Sequence, residues 1–541
     1  MKSVLKATIA SFLLMSGTAC DNAPQSKDGE GQSVSYQATG IITKSLPDIA
    51  AAIRQKEITS AKLVNLYLKR IERLNHQGPE LQAVISLNPN AVQEAKALDD
   101  MLAAGQVKGP LHGVPILVKD NIETKHMPTT AGAYALRHND TGRDSPLIAG
   151  LKAQGAIILG KTNLSQWANF RSEDSMSGWS ALGGQVKNPH VLDRNPCGSS
   201  SGSGSAAAAS LAAGTVGTET NGSIICPSNA AGIVGYKPTV GLVSQEYIIP
   251  ISHTQDTAGP MTKTVRGAAM MMNAMASGSE KVDYTLALQS DALKGVRVGV
   301  LRYATGSYQP IRNQFDKSLK ALEAAGAILV DITERPKQPE GFSGRMGYDL
   351  LKYEFKAGLN AYLAFTDPQK VIPRTLEDLI AFNEKHADKE LTLFDQSIFT
   401  GSQKMGDLTE PEYIKAKALL QKANQTMGID ALMTQHNVAV LVAPSGPLVP
   451  RRDPVNGDVW PRFPGAGSMA AQAGYPHVTV PMGGFRHVPL GMSFIASANQ
   501  DAQLLGYAYA FEQQTKARMT PAYLPSVATA ADVVKMLKPL Q

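Results

Sequence analysis

Asn195-Pro196-Cys197-Gly198-Ser199-Ser200-Ser201-Gly202-Ser203-Gly204-Ser205 leads into an alanine-rich run, Ala206 to Ala213, and Gly214 follows. The alanines read as a helix, closed by Gly214. The Gly/Ser stretch before them supports three readings. Gly202-Ser203-Gly204 with Ala207 resembles part of a dinucleotide fingerprint, but such a motif follows a strand and here a proline-containing polar loop precedes it. Gly198-Ser199-Ser200-Ser201-Gly202 fits G-x-S-x-G, the elbow of a serine esterase with Ser200 as nucleophile; it lacks the same strand, and Asp453 with His477 or His487 are only nominal partners. The third is a turn of small residues that lets a helix pack closely.

A second segment follows, Gly217-Thr218-Glu219-Thr220-Asn221-Gly222-Ser223-Ile224. Asn221-Gly222 tolerates positive φ, so successive backbone N–H groups can converge on one point. A serine ending such a turn can be a nucleophile beside its oxyanion hole. Asn-Gly is also the commonest tight-turn dipeptide, with Ser223 as a simple cap. Upstream, Gly113-Val114-Pro115-Ile116-Leu117-Val118-Lys119 reads as a buried strand ending in lysine. A lysine is charged at neutral pH, and burial in low dielectric pulls its pKa down towards base function. The plain alternative is a strand-end lysine paired with Asp120 or Glu123.

Outward from these segments the chain alternates apolar runs with helical periodicity. Ser45 or Asp48 caps a first helix with Pro47 near its start, Thr59-Ser60 opens a second, and Ala91 to Ala104 forms another. Further strands are expected at Ala156–Gly160, Val296–Leu301, Ile328–Asp331, Val438–Ala443 and His477–Val480, with helices at Asn313–Ala325 and Ala502–Thr515. This pattern predicts an α/β fold: one large domain over 37–541, with a central mixed, mostly parallel β-sheet covered by helices. There is no internal linker and no repeat of fixed period.

Composition narrows the function. The 541 residues are 43% hydrophobic and 18% charged, which excludes disorder, a coiled coil and collagen. Three cysteines exclude a disulfide scaffold. The net charge of +6 is spread along the chain, so no nucleic-acid partner is implied. The ten histidines show no zinc-ligand spacing and no phosphate loop is present, so neither a metal nor a nucleotide is expected. Lys2 and Lys6 precede an apolar stretch, Ala7 to Met15, too short to span a bilayer. Residues 1–19 read as a signal peptide of lipoprotein type, with Ser16-Gly17-Thr18-Ala19 before Cys20 as the lipid attachment point; an ordinary secretory signal cut at the same place is the alternative. Residues 20–36 read as a polar tether.

Taken together, the segments resemble the amidase signature hydrolases over roughly residues 45 to 518. The resemblance rests on Gly109-Pro110-Leu111-His112-Gly113-Val114-Pro115 through Lys119-Asp120-Asn121, on the Gly/Ser segment, on Gly217–Ser223, on Gly232-Ile233-Val234-Gly235-Tyr236-Lys237-Pro238-Thr239 and on Gln255-Asp256-Thr257-Ala258-Gly259-Pro260-Met261. Asn195–Gly198, Glu219 and Cys226-Pro227 look most like the bacterial peptide amidases, which remove ammonia from C-terminal peptide carboxamides. The resemblance implies Ser223 as nucleophile, Ser199 as a serine after a cis peptide bond, Lys119 as base, and the N–H groups of Thr220, Asn221, Gly222 and Ser223 as the oxyanion hole. Two departures stand out. Family members often carry Asp-Thr-Gly-Gly-Ser where this chain has Glu219–Ser223, and often Arg where it has Ile225.

The expected protein is therefore an exported, periplasmic amide hydrolase without cofactor, acting on a small amide or peptide amide. It is expected to be a monomer that meets the membrane only through its lipid anchor. The alternatives are the serine esterase above and a non-catalytic substrate-binding lipoprotein on the same fold. Export argues against the tRNA-dependent amidotransferase relatives. Cys197 and Cys226 are read as buried free thiols, with a disulfide as the alternative that export permits. Residues 340–400 and 445–470 are expected to wall the substrate pocket; Phe342, Tyr348, Phe355 and Trp460–Phe463 suit either that wall or the core.

Overall fold

Local chemistry sets the first elements. The computed structural model describes residues 36–277 and 282–539, so the signal segment, Cys20 and the tether up to residue 35 lie outside the described residues. Helix α1 (Leu46–Arg54) starts at a capping box in which Ser45 and Asp48 satisfy one another's end of the helix. Helix α2 (Ser60–Ile71) starts at Thr59, whose hydroxyl accepts the Lys62 N–H. Both turn an apolar stripe inward, with Leu63, Val64, Tyr67 and Ile71 of α2 buried. Helices α3 (Ala91–Ala103) and α4 (Pro146–Ala153) follow.

The strands are β1 (Val84–Leu87), β2 (Pro115–Lys119), β3 (Ile157–Thr162), β4 (Trp179–Ser180), β5 (Gly184–Gln185), β6 (Gly214–Glu219), β7 (Val234–Lys237), β8 (Thr257–Thr262), β9 (Arg297–Leu301), β10 (Ile328–Ile332), β11 (Val440–Pro444), β12 (His477–Phe485) and β13 (Val488–Ile495). β4 and β5 form a small hairpin. The other eleven make one sheet in the order β1-β3-β2-β6-β8-β7-β12-β13-β11-β9-β10. The sheet is mixed and helix-covered, as expected. Its pairing is not mostly parallel, however. Only β2–β3, β2–β6, β9–β10 and β9–β11 run parallel, and β8, β12 and β13 insert an antiparallel centre. The expectation failed because β6 and β8 are rich in Gly and Thr, β7 has only four residues, and Pro489, Gly491 and Ser493 interrupt the apolar residues of β13.

Helix α5 runs from Ser201 to Ala208, not from Ala206 to Ala213, and Gly214 opens β6 rather than closing a helix. The shift has a packing cause. α5 lies so close to the sheet that its serines bond to strands: Ser203 Oγ donates to the Val216 carbonyl at 3.0 Å, and Thr215 Oγ1 donates to the Ser203 carbonyl at 3.0 Å. A Cβ on Gly202 would lie 2.3 Å from the Asn163 carbonyl oxygen and 2.4 Å from that of Ala83. The small-residue reading of this segment therefore holds. Helices α6 (Ile225–Ala231), α7 (Val265–Met275) and α8 (Gln309–Ala324) continue the cover. Helix α9 (Arg345–Ala364) leads a helical layer whose core joins Leu350, Phe355 and Leu359 to Trp167 and Phe399.

Candidate active site

β2 and β6 are parallel neighbours in register, with Ile116 opposite Gly214 and Val118 opposite Val216. Their carboxyl ends, Lys119 and Thr218-Glu219, therefore share one edge of the sheet, where α/β folds gather ligands. Lys119 is fully buried. Its Nζ donates to Ser199 Oγ at 2.7 Å, to Thr218 Oγ1 at 2.9 Å and to the Thr218 carbonyl at 3.3 Å. Asn121 Nδ2 donates to the same Thr218 Oγ1 at 3.0 Å. The acids that might have claimed Lys119 are engaged elsewhere, Asp120 with Lys161 at 3.3 Å and Glu123 with Arg143 at 2.5 Å. Burial lowers Lys119 from 10.5 to about 7, against the opposing charges of Asp256 and Glu219. Lys161 and Lys237 are equally buried. Lys237 bonds to the Pro238 carbonyl and Lys161 to the Ile122 carbonyl and Thr129 Oγ1, so contact with the Ser199 hydroxyl, rather than burial, singles out Lys119.

The Gly198–Ser199 peptide bond is cis. Ser200, the elbow candidate, is spent on structure. Its Oγ donates to the Thr218 carbonyl at 3.0 Å and accepts the Thr218 N–H at 3.2 Å. Its nominal partners lie elsewhere: His477 bonds to Ser493, His487 to Asp532, and Asp453 to Asn456. The esterase elbow is thereby removed.

Ser223 is half-buried, just before α6, and its carbonyl accepts the Ser200 N–H at 3.2 Å. Its hydroxyl makes no hydrogen bond among the described residues, so the structure does not close a Ser199–Ser223 contact. Gly222 turns at φ +89 with open space beside it. Among the described residues, the N–H groups of Thr220, Asn221, Gly222 and Ser223 donate to nothing. Four consecutive free donors are the raw material of an oxyanion hole. Glu219 fixes the turn from below, its Oε2 accepting the N–H groups of Ile224 at 2.7 Å and Ile225 at 3.0 Å.

Cys197 and Cys226 are joined in a disulfide, their Cα atoms 5.8 Å apart. The expectation of free thiols is corrected. The first turn of α6 lies against the segment entering Ser199, which brings the two cysteines within bridging distance.

Two cavities flank the turn. One, of about 580 Å³, is lined by Glu219, Asn221, Gly222, Ile225 and Cys226, and by Phe342, Trp460 and Phe463 from the expected wall. The other, of about 630 Å³, is lined by Thr218, Thr220, Asn121 and Asp256 on one side and the apolar stretch Ile248–Ile251 on another. The alternation of a strand end divides these residues between the two. The first is lined by Asn221 and Gly222, just before Ser223 in the chain, and by Ile225 and Cys226, just after it. Phe355 is core, and Tyr348 packs against that core through Phe170.

Asp256 is legible in the sequence only as part of the Gln255–Met261 motif, and residue spacing does not show its role. It is half-buried, accepts the Thr220 Oγ1 hydroxyl at 2.5 Å and the N–H groups of Ile251 and Ser252 at 2.8 and 2.9 Å, and desolvation raises it to about 6. Thr218 was missed likewise; its signal was the residue after Gly217, whose missing side chain admits Ser200.

Known proteins of similar sequence and fold identify the family. The family model described as Amidase matches residues 62–505. The structure superposes on the peptide amidase of Stenotrophomonas maltophilia with a TM-score of 0.83, 42% identity and coverage of 89% of this chain and 98% of that one. An amidase family protein from Bacillus anthracis gives a TM-score of 0.80 at 32% identity, over 89% and 92% of the two chains. A protein of Arabidopsis thaliana described as a probable amidase is 36% identical over 88% of this chain and 91% of its own. The chain belongs to the amidase family, whose members hydrolyse amide C–N bonds.

Proposed function

We propose that this chain is an exported hydrolase of C-terminal peptide carboxamides that works through a Ser223 acyl-enzyme. The observation that carries the reading is the 2.7 Å contact between a fully buried Lys119 and Ser199 behind the free donors of the 220–223 turn. Neutral Lys119 takes a proton from Ser199 as Ser199 takes one from Ser223, the Ser199–Ser223 contact closing when substrate enters. Ser223 attacks the amide carbon, and the turn's N–H groups receive the oxyanion. The proton returns through Ser199 to the leaving nitrogen, ammonia departs, and water cleaves the ester to carboxylate.

The 42% identity to a peptide amidase supports the peptide-amide substrate. Lys2, Lys6, the Ala7–Met15 stretch and Cys20 support export to the periplasm with a lipid anchor. The disulfide supports an oxidising workplace. Purified protein should release ammonia from a peptide amide, and folded Ser223→Ala and Lys119→Ala variants should lose at least a thousandfold. Near wild-type rates in either variant would overturn the triad. Cys20→Ser should abolish acylation and move the protein to the soluble fraction; unchanged fractionation would overturn the anchor.

A further inference from the structure

Glu219 has one satisfied carboxylate oxygen and one orphan. Oε2 accepts the N–H groups of Ile224 and Ile225, the two residues after Ser223. Oε1 is closed to solvent and has no hydrogen-bond partner among the described residues. Neither neighbouring cation serves it. The Lys119 ammonium bonds to Ser199 and Thr218, and that of Lys237 to the Pro238 carbonyl. Ile225 adds no charge. Glu219 nevertheless lines the cleft of about 580 Å³ with Asn221 and Gly222, beside the free N–H groups of the turn. A buried carboxylate oxygen without a donor is unfavourable, and such an atom at a cleft wall awaits a donor from a ligand.

We infer that Glu219 Oε1 accepts an N–H of the scissile carboxamide, so that Glu219 selects amides over esters of the same acid. The inference rests on the hydrolase reading above. A primary carboxamide brings two N–H groups that need acceptors in a dry cleft, and an ester brings none. With the carbonyl oxygen on the 220–223 turn and one N–H on Glu219, the amide is held at both ends of its dipole. A site built around a donor discriminates strongly against an analogue that lacks it.

The test is Glu219→Gln, assayed on a peptide amide and on the methyl ester of the same peptide. Gln keeps an oxygen for Ile224 and Ile225 but offers N–H groups where the acceptor stood. The assays run at pH 8.5, because Glu219 is one of the charges that hold Lys119 up, and there the lysine is neutral with or without it. kcat/KM on the amide should fall by about tenfold to a hundredfold, with the ester changed less than about threefold. Thermal melting checks the fold; if Glu219→Gln does not fold, Glu219→Asp, which withdraws both oxygens by one methylene and so loosens the turn for either substrate, should still cost the amide at least about tenfold more than the ester. Equal losses on both substrates, or none on either, overturn the inference and leave Glu219 as a brace for the turn. If wild-type protein cleaves neither substrate, the hydrolase reading fails instead.

Discussion

Raising the pH from 5 to 7 should increase kcat/KM for amide hydrolysis about fiftyfold, and from 7 to 9 only about twofold. The numbers follow from Lys119, which burial lowers to about 7. A base with that pKa is about 1% neutral at pH 5, half neutral at pH 7 and about 99% neutral at pH 9. The fall from 10.5 to about 7 corresponds to about 5 kcal/mol of lost stabilisation of the ammonium. Asp256 opposes that fall, and is itself raised to about 6. Above pH 6 it is charged and favours the protonated lysine. Asp256→Asn keeps an oxygen for the Ile251 and Ser252 N–H groups and removes the charge. It should move the acidic limb to lower pH by on the order of one unit. The assay is initial-rate ammonia release at substrate well below KM, in buffers of constant ionic strength. A rate flat from pH 5 to 9 would refute the lysine base. An active Asp256→Asn variant whose limb stays in place would refute the electrostatic account.

Cys226→Ser should lower stability by about 3–4 kcal/mol, the loop-closure value for a separation of 29 residues; equal melting of wild type with and without reductant would count against it. Gly202→Ala drives a Cβ into two backbone carbonyls and should cost several kcal/mol, whereas Gly344→Ala, with open space around it, should be near neutral in the same melting assay. Folded Lys119 sits below its unfolded pKa, so the unfolded chain binds more protons between about pH 7 and 10.5 and stability rises with pH across that window. Lys119→Met should flatten that part of the stability–pH curve, and an unchanged slope would contradict the burial argument.

Strands β2, β3, β9 and β11 were legible because each is a run of branched aliphatic residues. β6 was not. Gly214-Thr215-Val216-Gly217-Thr218-Glu219 contains one large apolar side chain, and its strand form comes from tertiary packing, with Ser200, Ser203 and α5 pressed against its face. β8 hides in the same way behind Gly259 and Pro260, yet Pro260 pairs opposite Val216. At the site, Lys119 was legible as a buried strand-end lysine and Ser223 as a serine ending a tight turn, each with a plain alternative, and only the resemblance to a family joined them to Ser199. The contacts of Lys119 with Thr218 and Ser199 depend on the register of β2 against β6 and on the packing of α5 against the sheet, which no single segment encodes. Asp256 and Thr218 act through burial and contact, and neither leaves a local pattern. The disulfide was misjudged because two cysteines in a chain of this size carry no spacing signal until α6 is packed against the Ser199 segment.

The Cys197–Cys226 bridge also closes a covalent ring. Ser199, α5, β6, the 220–223 turn and Ser223 all lie within it. A protease that cuts any peptide bond inside the ring cannot release either serine-bearing end, because each stays tied to the other across the bridge. For a hydrolase proposed to work outside the cytosol among peptides and the enzymes that make them, the reacting centre is thus the stretch of chain that can be nicked without being parted.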